Sequence, residues 1–268
     1  IWDSVLFQFA WAEENLQLFM NASVNDAVIE DEKIKSVKAW QTTSQIWHII
    51  EADFFADCSG DSVLAPLCGA EFRVGREARA EFNEDIQPET ADNYTMGMSC
   101  LVQARETDSE KKFIPPPWAK HFPDEESIKH RVTHFRPADN FWWLELGGDV
   151  DSIHDTEEVR DELLALAFGV WDYFKNRSDK PAINWELEWV GFLPGKRESR
   201  RYVGDLILTQ NDVRSEGKFS DIIAYGGWSM DDHHPGGFHY EGAATIFHPA
   251  PSPYGIPYRC IYSKNIEN

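Results

Sequence analysis

The segment SMDDHHPGGFH holds the densest group of acid–base and metal-ligating side chains in the sequence. Histidine titrates near neutral pH, so it suits a base that removes a proton from a substrate. The same residue types bind zinc, but their spacing matches no defined site, and we assign no metal ligand. Three interpretations stay open: a substrate base or contact, with His233 preferred and His234 next, a metal site, or a plain surface loop. The side chains concerned are Asp231, Asp232, His233, His234 and His239.

A basic cluster lies in the segment GKRESRRYVGD of this otherwise acidic chain. Arginine presents forked donors that match a carboxylate or a phosphate, so the cluster is a candidate anion site. The alternative is a solvated turn with internal ion pairs, each contributing roughly 0–1 kcal/mol. We choose Arg197 and Arg200 as the candidate functional residues of the cluster, with Arg73 and Arg76 as lesser candidates.

The segment ADFFADCSGDS predicts an apolar, buried strand that ends at Ser59-Gly60-Asp61. In dinucleotide-binding folds, ligands lie at the carboxyl ends of strands, where turns let backbone N–H groups approach phosphate or ribose. Gly60 permits a close backbone approach, and Asp61 could accept a hydrogen bond from a hydroxyl group. The alternative is a tight loop without a ligand.

Predicted helices and strands, which must position these groups, alternate irregularly along the sequence. A helix at the start precedes short strands in LQLFMNASV, VIEDEKIKSVKAWQTT and QIWHIIEADFFADC, with a charged turn at residues 30–33. We predict a short helix in SVLAPLCGAEF, a helix over 72–92, and strands in NFWWLELGGD and NWELEWVGF. The clearest helix starts at Asp155 as N-cap with Glu158 as a capping-box partner, and it ends at Asn176. Its apolar face comprises Val159, Leu163, Leu166, Val170 and Phe174.

Composition narrows the possible partners. The sequence carries 46 acidic and 25 basic residues, for a formal charge of −21, which disfavours nucleic acid and anionic membranes. No apolar run approaches the ~20 residues of a membrane span, and no secretory signal begins the sequence. The 4 cysteines have no C-x-x-C spacing, so we expect free thiols. We expect a soluble protein, either cytoplasmic or exported by a signal outside this sequence.

Five stretches, taken in order, resemble the bacterial FAD-dependent oxidoreductase family among the flavoproteins with two dinucleotide-binding domains. They are spread over residues 52–268. The stretches are ADFFADCSGDSVLAPLCGAEFRVGREARAEFNE, ADNYTMGMS, EWVGFLPGKRESRRYVGDLILTQNDV, AYGGWSMDDHHPGGF and IPYRCIYSKNIEN.

The resemblance implies an α/β fold with an α+β insertion. Residues 1–92 would form a partial, Rossmann-like FAD-binding region, and residues 93–268 a mixed-sheet substrate domain that returns toward the cofactor domain. The turn at Ser59, Gly60 and Asp61 would lie beside the cofactor, and the basic cluster could stabilise a reduced flavin. Ser23, Val24, Arg73 and Arg76 complete the implied cofactor-binding residues.

The sequence departs from this family in two ways. Ser59 and Ser62 stand where the family's C-T-G-D-G turn has Thr and a second Gly. The opening G-x-G-x-x-G segment is absent, as is a closing glycine-containing segment expected after Asn268. We therefore expect a central fragment that binds FAD poorly by itself and is inactive alone, although the complete protein would use FAD.

The leading interpretation is part of an FAD-dependent oxidoreductase that passes hydride from a small organic substrate to the flavin. A carbohydrate-like molecule is one candidate for this substrate. His233 and His234 would handle the substrate, and Arg197 and Arg200 would stabilise charge. One alternative is a binding domain without catalysis on a flavoprotein scaffold. A weaker alternative is a metal-dependent hydrolase that uses the loop from Asp231 to His239. The sequence does not specify the oligomeric state.

Overall fold

The computed structural model describes residues 2–137, 141–243, 245–251 and 253–268. The chain forms two compact units, which we call the first unit (Ile1–Glu71 with Ser263–Asn268) and the second unit (Phe72–Tyr262). The first unit thus extends to residue 71 and also includes the last six residues, 263–268. The assignment of 1–92 to a cofactor region and 93–268 to a substrate domain concerns function and stays a prediction.

The first unit contains two helices and one sheet. Its elements are α1 (Trp2–Ala12), β1 (Ala22–Glu30), β2 (Lys33–Gln41), β3 (Ile46–Glu51) and α2 (Leu64–Cys68). The strands form an antiparallel sheet in the order β1-β2-β3. The predicted charged turn is confirmed, because Asp31 and Glu32 alone join the paired residues Glu30 and Lys33. Both turn residues have positive φ, of 48° and 59°, as a two-residue hairpin turn requires.

The final residue of the chain is fastened to this sheet. The Asn268 side chain donates to the Ile34 carbonyl at 2.9 Å and accepts from the Ile34 amide at 2.8 Å. Its backbone carbonyl accepts from the Phe55 amide at 2.9 Å. These bonds use backbone groups that an additional strand would otherwise occupy, so residues 263–268 are an integral part of the first unit.

The predicted buried strand before Ser59 is wrong. The strand ends at Glu51, and the stretch 52–58, all of it described, forms no strand. Phe54 is 80% exposed, so the apolar run is not a buried one. Here the run bonds locally and to Asn268, for example from the Asn268 side chain to the Asp53 carbonyl at 3.1 Å. An apolar run shows which residues resist water, but strand formation also needs a neighbouring backbone.

The second unit consists of short ribbons around one long helix. Its strands are β4 (Phe72–Arg73), β5 (Met98–Ser99), β6 (Val102–Glu106), β7 (Glu145–Leu146), β8 (Trp185–Val190), β9 (Arg201–Tyr202), β10 (Ile222–Gly226), β11 (Met230–His233), β12 (Thr245–His248) and β13 (Tyr254–Pro257). They pair as β4-β9, β5-β7, β6-β8, β10-β13 and β11-β12. Every strand pair that the structure describes is antiparallel, so the predicted mixed sheet is not observed.

The helices of the second unit are α3 (Arg79–Phe82), α4 (Thr156–Asn176) and α5 (Gln210–Arg214), with single 3₁₀ turns at Gly237–His239 and Tyr258–Cys260. The helix predicted over 72–92 is wrong apart from α3. Gly75 has φ of 81°, and a Cβ there would lie 2.1 Å from the Asp92 carbonyl, so the chain must turn and pair with residue 92. The Arg76 and Asp92 backbones bridge each other, which a continuous helix would prevent.

The long helix α4 confirms its predicted apolar face. Val159, Leu163, Leu166, Val170 and Phe174 are all buried, and the helix ends at Asn176. The predicted capping box is wrong, because Asp155 occupies the N-cap position without a side-chain cap. Its carboxylate instead accepts from the Asp151 amide at 3.0 Å, within the turn that leads into the helix. Among the described residues, no helix is both long and apolar enough to cross a membrane.

A buried lysine fastens the end of α4 to the start of β8. The Lys175 ammonium donates to the carbonyls of Ala182, Ile183 and Trp185 at 2.7, 2.8 and 2.8 Å. Burial lowers the pKa of Lys175. The three N–H donors of the ammonium group and the three carbonyl acceptors are thereby all hydrogen-bonded. The lysine takes the place that water would otherwise have at this turn beside the core.

Replacing this lysine tests the fastening. Lys175→Met should lower the free energy of unfolding by about 2–4 kcal/mol, because three partly buried carbonyls lose their charged donor. Urea denaturation measures the loss. The exposed neighbour Lys180 provides the control, since Lys180→Met should change stability by less than about 0.5 kcal/mol. Equal effects of the two substitutions would contradict the role given to Lys175.

Candidate functional site

The structure brings Arg197 and His233 together in the second unit and adds two carboxylates to them. His233 Nδ1 lies 2.7 Å from Glu145 Oε2, and His233 Nε2 lies 2.9 Å from Asp231 Oδ2. Arg197 Nη1 lies 3.2 Å from the imidazole nitrogens and 3.5 Å from Glu145 Oε2. We call Glu145, Arg197, Asp231 and His233 the histidine cluster. It contains two potential cations and two anions in mutual contact.

Ser99 sets the register of two members of the histidine cluster. It pairs with Glu145 in the β5-β7 ribbon, and its backbone bridges Gly195, two residues before Arg197. The Ser99 hydroxyl accepts from Arg197 Nη2 at 2.9 Å and donates to the Trp142 carbonyl at 2.7 Å. The Arg197 guanidinium also lies over the Trp142 ring, 5.7 Å from its centroid. The arginine is therefore held by backbone pairing, a hydroxyl group and an aromatic face.

The β11-β12 ribbon supplies the other two members. Side chains two residues apart share a strand face, so Asp231 and His233 lie on one side of β11. The loop after His233 then packs closely on β7: a Cβ at Gly237 would lie 2.1 Å from the Glu145 carbonyl, and Gly237 has φ of 50°. Only glycine fits this approach without strain, and it keeps His233 beside Glu145.

The proton affinity of His233 reflects two opposing effects. Burial lowers the pKa of the imidazole, but the hydrogen bonds to Glu145 and Asp231 together raise it by more. The resulting pKa is above the ordinary value of 6.5. Arg197 opposes this increase by charge repulsion. Because the His233 side chain is only 1% exposed, the carboxylates control its protonation more than solvent does.

A cavity of about 320 Å³ lies against the histidine cluster. Asp231, whose side chain is 28% exposed, and His233 both line it. Asp231 Oδ1 and Glu145 Oε1 are buried and have no hydrogen-bond partner among the residues that the structure describes. Buried carboxylate oxygens are usually hydrogen-bonded, and Asp231 lines the cavity whereas Glu145 does not, so Asp231 is the candidate acceptor for a bound polar group. The cavity further includes Arg76, Asp232, His248, Met96 and Glu198.

The other predicted catalytic residues lie elsewhere in the second unit. His234 is exposed and stacks on Tyr240, with ring centroids 3.5 Å apart. Arg200 lies over the Phe72 ring at 5.7 Å. Neither of the two lines the cavity. Their predicted roles in catalysis stay predictions.

The lesser candidates Arg73 and Arg76 both have carboxylate partners. Arg73 pairs with Glu81 at 2.7 Å, and Arg76 pairs with Asp92 at 2.5 Å. These pairs raise the pKa of both arginines. Arg76 lines the cavity at the histidine cluster and an adjoining cavity of about 350 Å³, which also includes Arg73. Their assignment to the cofactor stays a prediction.

In the first unit, the turn at Ser59, Gly60 and Asp61 is exposed in part and organised by Asp57. The Asp57 carboxylate accepts from the Ser59 amide at 3.0 Å, the Ser59 hydroxyl at 2.6 Å and the Leu64 amide at 2.8 Å. It thus connects the turn to the first residue of α2. Gly60 has φ of 81°, and a Cβ there would meet nothing within 4 Å.

Glu145 and Ser99 belong to the site but were not predicted from the sequence. Both come from two-residue strands, far in sequence from His233, and neither has a local motif. Asp231 was recognised only as part of an acid–histidine loop. The two glycines after the apolar segment of Glu145 were the one usable signal, because they mark close backbone packing.

Within the described ranges, no group of three His, Cys, Asp or Glu side chains is arranged to hold a metal ion. The four cysteines, all of them described, are free thiols, as predicted. Burial raises the pKa of Cys100 to about 11, which keeps that thiol protonated near neutral pH.

Comparison with protein families matches residues 1–268 to the family described as FAD dependent oxidoreductase. The chain belongs to the FAD-dependent oxidoreductase family. The match confirms the resemblance and makes FAD the cofactor of the complete protein. No curated protein and no solved structure matches the chain.

In the first unit, the assignment of Ser23, Val24, Ser59, Gly60 and Asp61 to the cofactor stays a prediction. The Gly60 turn has the positive φ and open space that a close ligand approach requires. Ser23 and Val24 lie on β1 next to an irregularity in its register, between Val24 and Asp26. In the described part of the chain, no glycine-rich turn precedes a helix, so these residues do not form a pyrophosphate cradle.

The buried pair Glu145–His233 predicts how stability depends on pH. Because the folded pKa of His233 is raised, its charged form stabilises the fold below the unfolded value, and this contribution disappears as pH rises through the folded pKa. Glu145→Gln should therefore lower the free energy of unfolding by about 1.5–3 kcal/mol below pH 6.5, and by less at alkaline pH.

Urea denaturation over a pH series measures this difference. The exposed residue Glu157 at the start of α4 provides the control, and Glu157→Gln should give no such pH dependence. A Glu145→Gln effect that is constant with pH would show that the carboxylate acts by packing alone.

Proposed function

We propose that the protein is a flavin-dependent oxidoreductase that removes hydride from a small organic substrate bound in the cavity at the histidine cluster. The observation that supports this most is the contact of 2.9 Å between Asp231 and His233 on the cavity wall. An imidazole–carboxylate pair beside a cavity is a common means of proton transfer. The carbohydrate-like substrate considered from the sequence would be an alcohol, and alcohols are one member of the proposed substrate class.

The two halves of such an oxidation make different demands on the protein. FAD, when bound, supplies the acceptor for the hydride and its electron pair. The remaining proton, from the O–H or N–H group on the same carbon, must go to a base of the chain. Asp231 is the member of the histidine cluster that is most open to the cavity, so it takes the proton in our proposal, with His233 behind it.

The protonation of His233 decides when this base is available. Below the raised pKa, both imidazole nitrogens of His233 carry protons, toward Glu145 and Asp231, so His233 cannot take a proton passed on from Asp231. Above that pKa, one proton has left, and the Asp231–His233 pair can accept one from the substrate. Proton abstraction should therefore accelerate as pH rises through a value above 6.5.

Arg197 acts as a positioning residue in this proposal. It lies 3.5 Å from Glu145 and bonds to Ser99, so its charge balances the carboxylate that holds His233. It does not line the cavity. The anion-binding role predicted for it from the sequence is not part of the proposal.

Flavin reduction by candidate alcohols and amines tests the proposed function. The natural gene product should carry FAD with its visible absorbance band, and a substrate should bleach this band without oxygen. Asp231→Asn should slow the bleaching by about 10²–10⁴-fold, because the proton acceptor is lost. The flavin content should not change.

Glu157→Gln again provides the matched control, since this carboxylate is 71% exposed on the surface. A gene product without flavin would overturn the proposed function. Unchanged bleaching by Asp231→Asn would remove the cavity from the reaction.

A second candidate, a binding domain without catalysis, is favoured by one observation. Helix α1 buries none of its residues, and Trp2, Phe9 and Trp11 are 70%, 71% and 71% exposed. Apolar surface of this extent is typical of interaction sites. Flavin bleaching by any substrate would decide against this candidate.

A further inference from the structure

The ionic groups around the cavity at the histidine cluster indicate which ligands it excludes. Arg76 lines the cavity and pairs with Asp92. Two arginines that contact lining residues also pair with carboxylates: Arg197 with Glu145, and Arg201 with Glu198 at 2.6 Å. An anionic ligand would have to compete with these carboxylates for its donors. Neither Arg197 nor Arg200 lines this cavity, so the anion site predicted at the basic cluster stays a prediction.

Of the carboxylates on the cavity wall, Glu84 and Glu198 are hydrogen-bonded, whereas Asp231 and Asp232 are less completely matched. Asp231 shares His233 with Glu145, and Asp231 Oδ1 has no hydrogen-bond partner among the described residues. Asp232 has His248 at 3.7 Å, beyond hydrogen-bond distance, and His248 Nε2 is likewise buried without a hydrogen bond in the described part of the chain. The wall thus combines negative charge with unused acceptor capacity.

Beside its charged groups, the wall contains aliphatic side chains and the polar side chains of Gln87, Thr209 and Gln210. Ile86, Met96, Leu208, Val213 and Met230 line the cavity together with polar groups. Among the described lining residues there is no Phe, Tyr or Trp. Sugars are often held by stacking on aromatic rings, whereas an alkyl chain packs well on methionine and branched aliphatic side chains.

We propose that this cavity binds an aliphatic amine in its protonated form, with the ammonium group at Asp231 and the alkyl chain against the aliphatic side chains of the wall. A primary ammonium group offers three donors and a positive charge, which matches an acceptor oxygen in a negative surrounding. Asp232 strengthens the negative potential. The neutral alcohol has donors but no charge, and the carboxylate has the wrong charge.

The proposal narrows the substrate class and to that extent rests on the proposed function. A protonated amine R₂CH–NH₃⁺ would lose one N–H proton to Asp231. Its C–H bond would then break with both electrons leaving as hydride to FAD, the oxidant of this family, and R₂C=NH₂⁺ would remain. Charge and atoms balance, because one proton and one hydride leave together.

Binding can be measured without turnover, so its failure is distinguishable from failure of the proposed function. The probes are three molecules of matched length: pentylamine, pentanol and pentanoate. NMR titration follows the ring protons of His233 and His248, which both line the cavity. We expect pentylamine to bind at least about tenfold tighter than pentanol, because a charged hydrogen bond is the stronger one, and pentanoate to bind weakest. Added salt should weaken only the amine.

Asp231→Asn should weaken pentylamine about tenfold to hundredfold and change pentanol little, while Glu157→Gln should change neither. The wild-type series by itself decides the question if the variant does not fold. Equal affinity for amine and alcohol, or tighter binding of pentanoate, would overturn the proposal. Amine binding without flavin bleaching would leave the site intact and overturn only the proposed reaction.

Discussion

The hydrogen bond between Glu145 and His233 is the constraint on which the second unit's site depends. Both side chains are almost completely buried, and a charged group in such a place is costly unless a partner compensates it. Here the compensation is shared among four groups, since Asp231 and Arg197 complete the histidine cluster. If any one member is removed, another member is left with a charge that is no longer compensated. The cluster is therefore both a structural junction and a source of unusual proton affinity.

The short ribbons of the second unit position the members of the histidine cluster. A two-stranded ribbon by itself is marginally stable, and each ribbon here is positioned by what it contacts. Ser99 joins β7 to the strand segment before Arg197, and Gly237 brings the loop after β11 against Glu145. Helix α4 and its aromatic neighbours provide the packed core beneath. The cavity lies against the β11-β12 ribbon, from which Met230, Asp231, Asp232, His233 and His248 line it.

The sequence predicted those features that depend on local patterns. The apolar face of α4, the hairpin turn at Asp31 and the free cysteines all follow from spacing within a few residues. The strand before Ser59 and the helix over 72–92 failed, because pairing with Asn268 and the close approach at Gly75 involve distant backbone. The site showed the same division: His233 and Arg197 were found from their local density. Glu145 was not found, because only the tertiary fold brings it to His233.

The protonation state of His233 tests the central claim most directly. Nitrogen-detected NMR of the imidazole, followed through a pH titration, reports both the pKa and which ring nitrogens carry protons. Our account predicts a pKa above 6.5, with both nitrogens protonated below it, since each faces a carboxylate. A pKa at or below 6.5, with a single neutral tautomer at acidic pH, would contradict the histidine cluster as described.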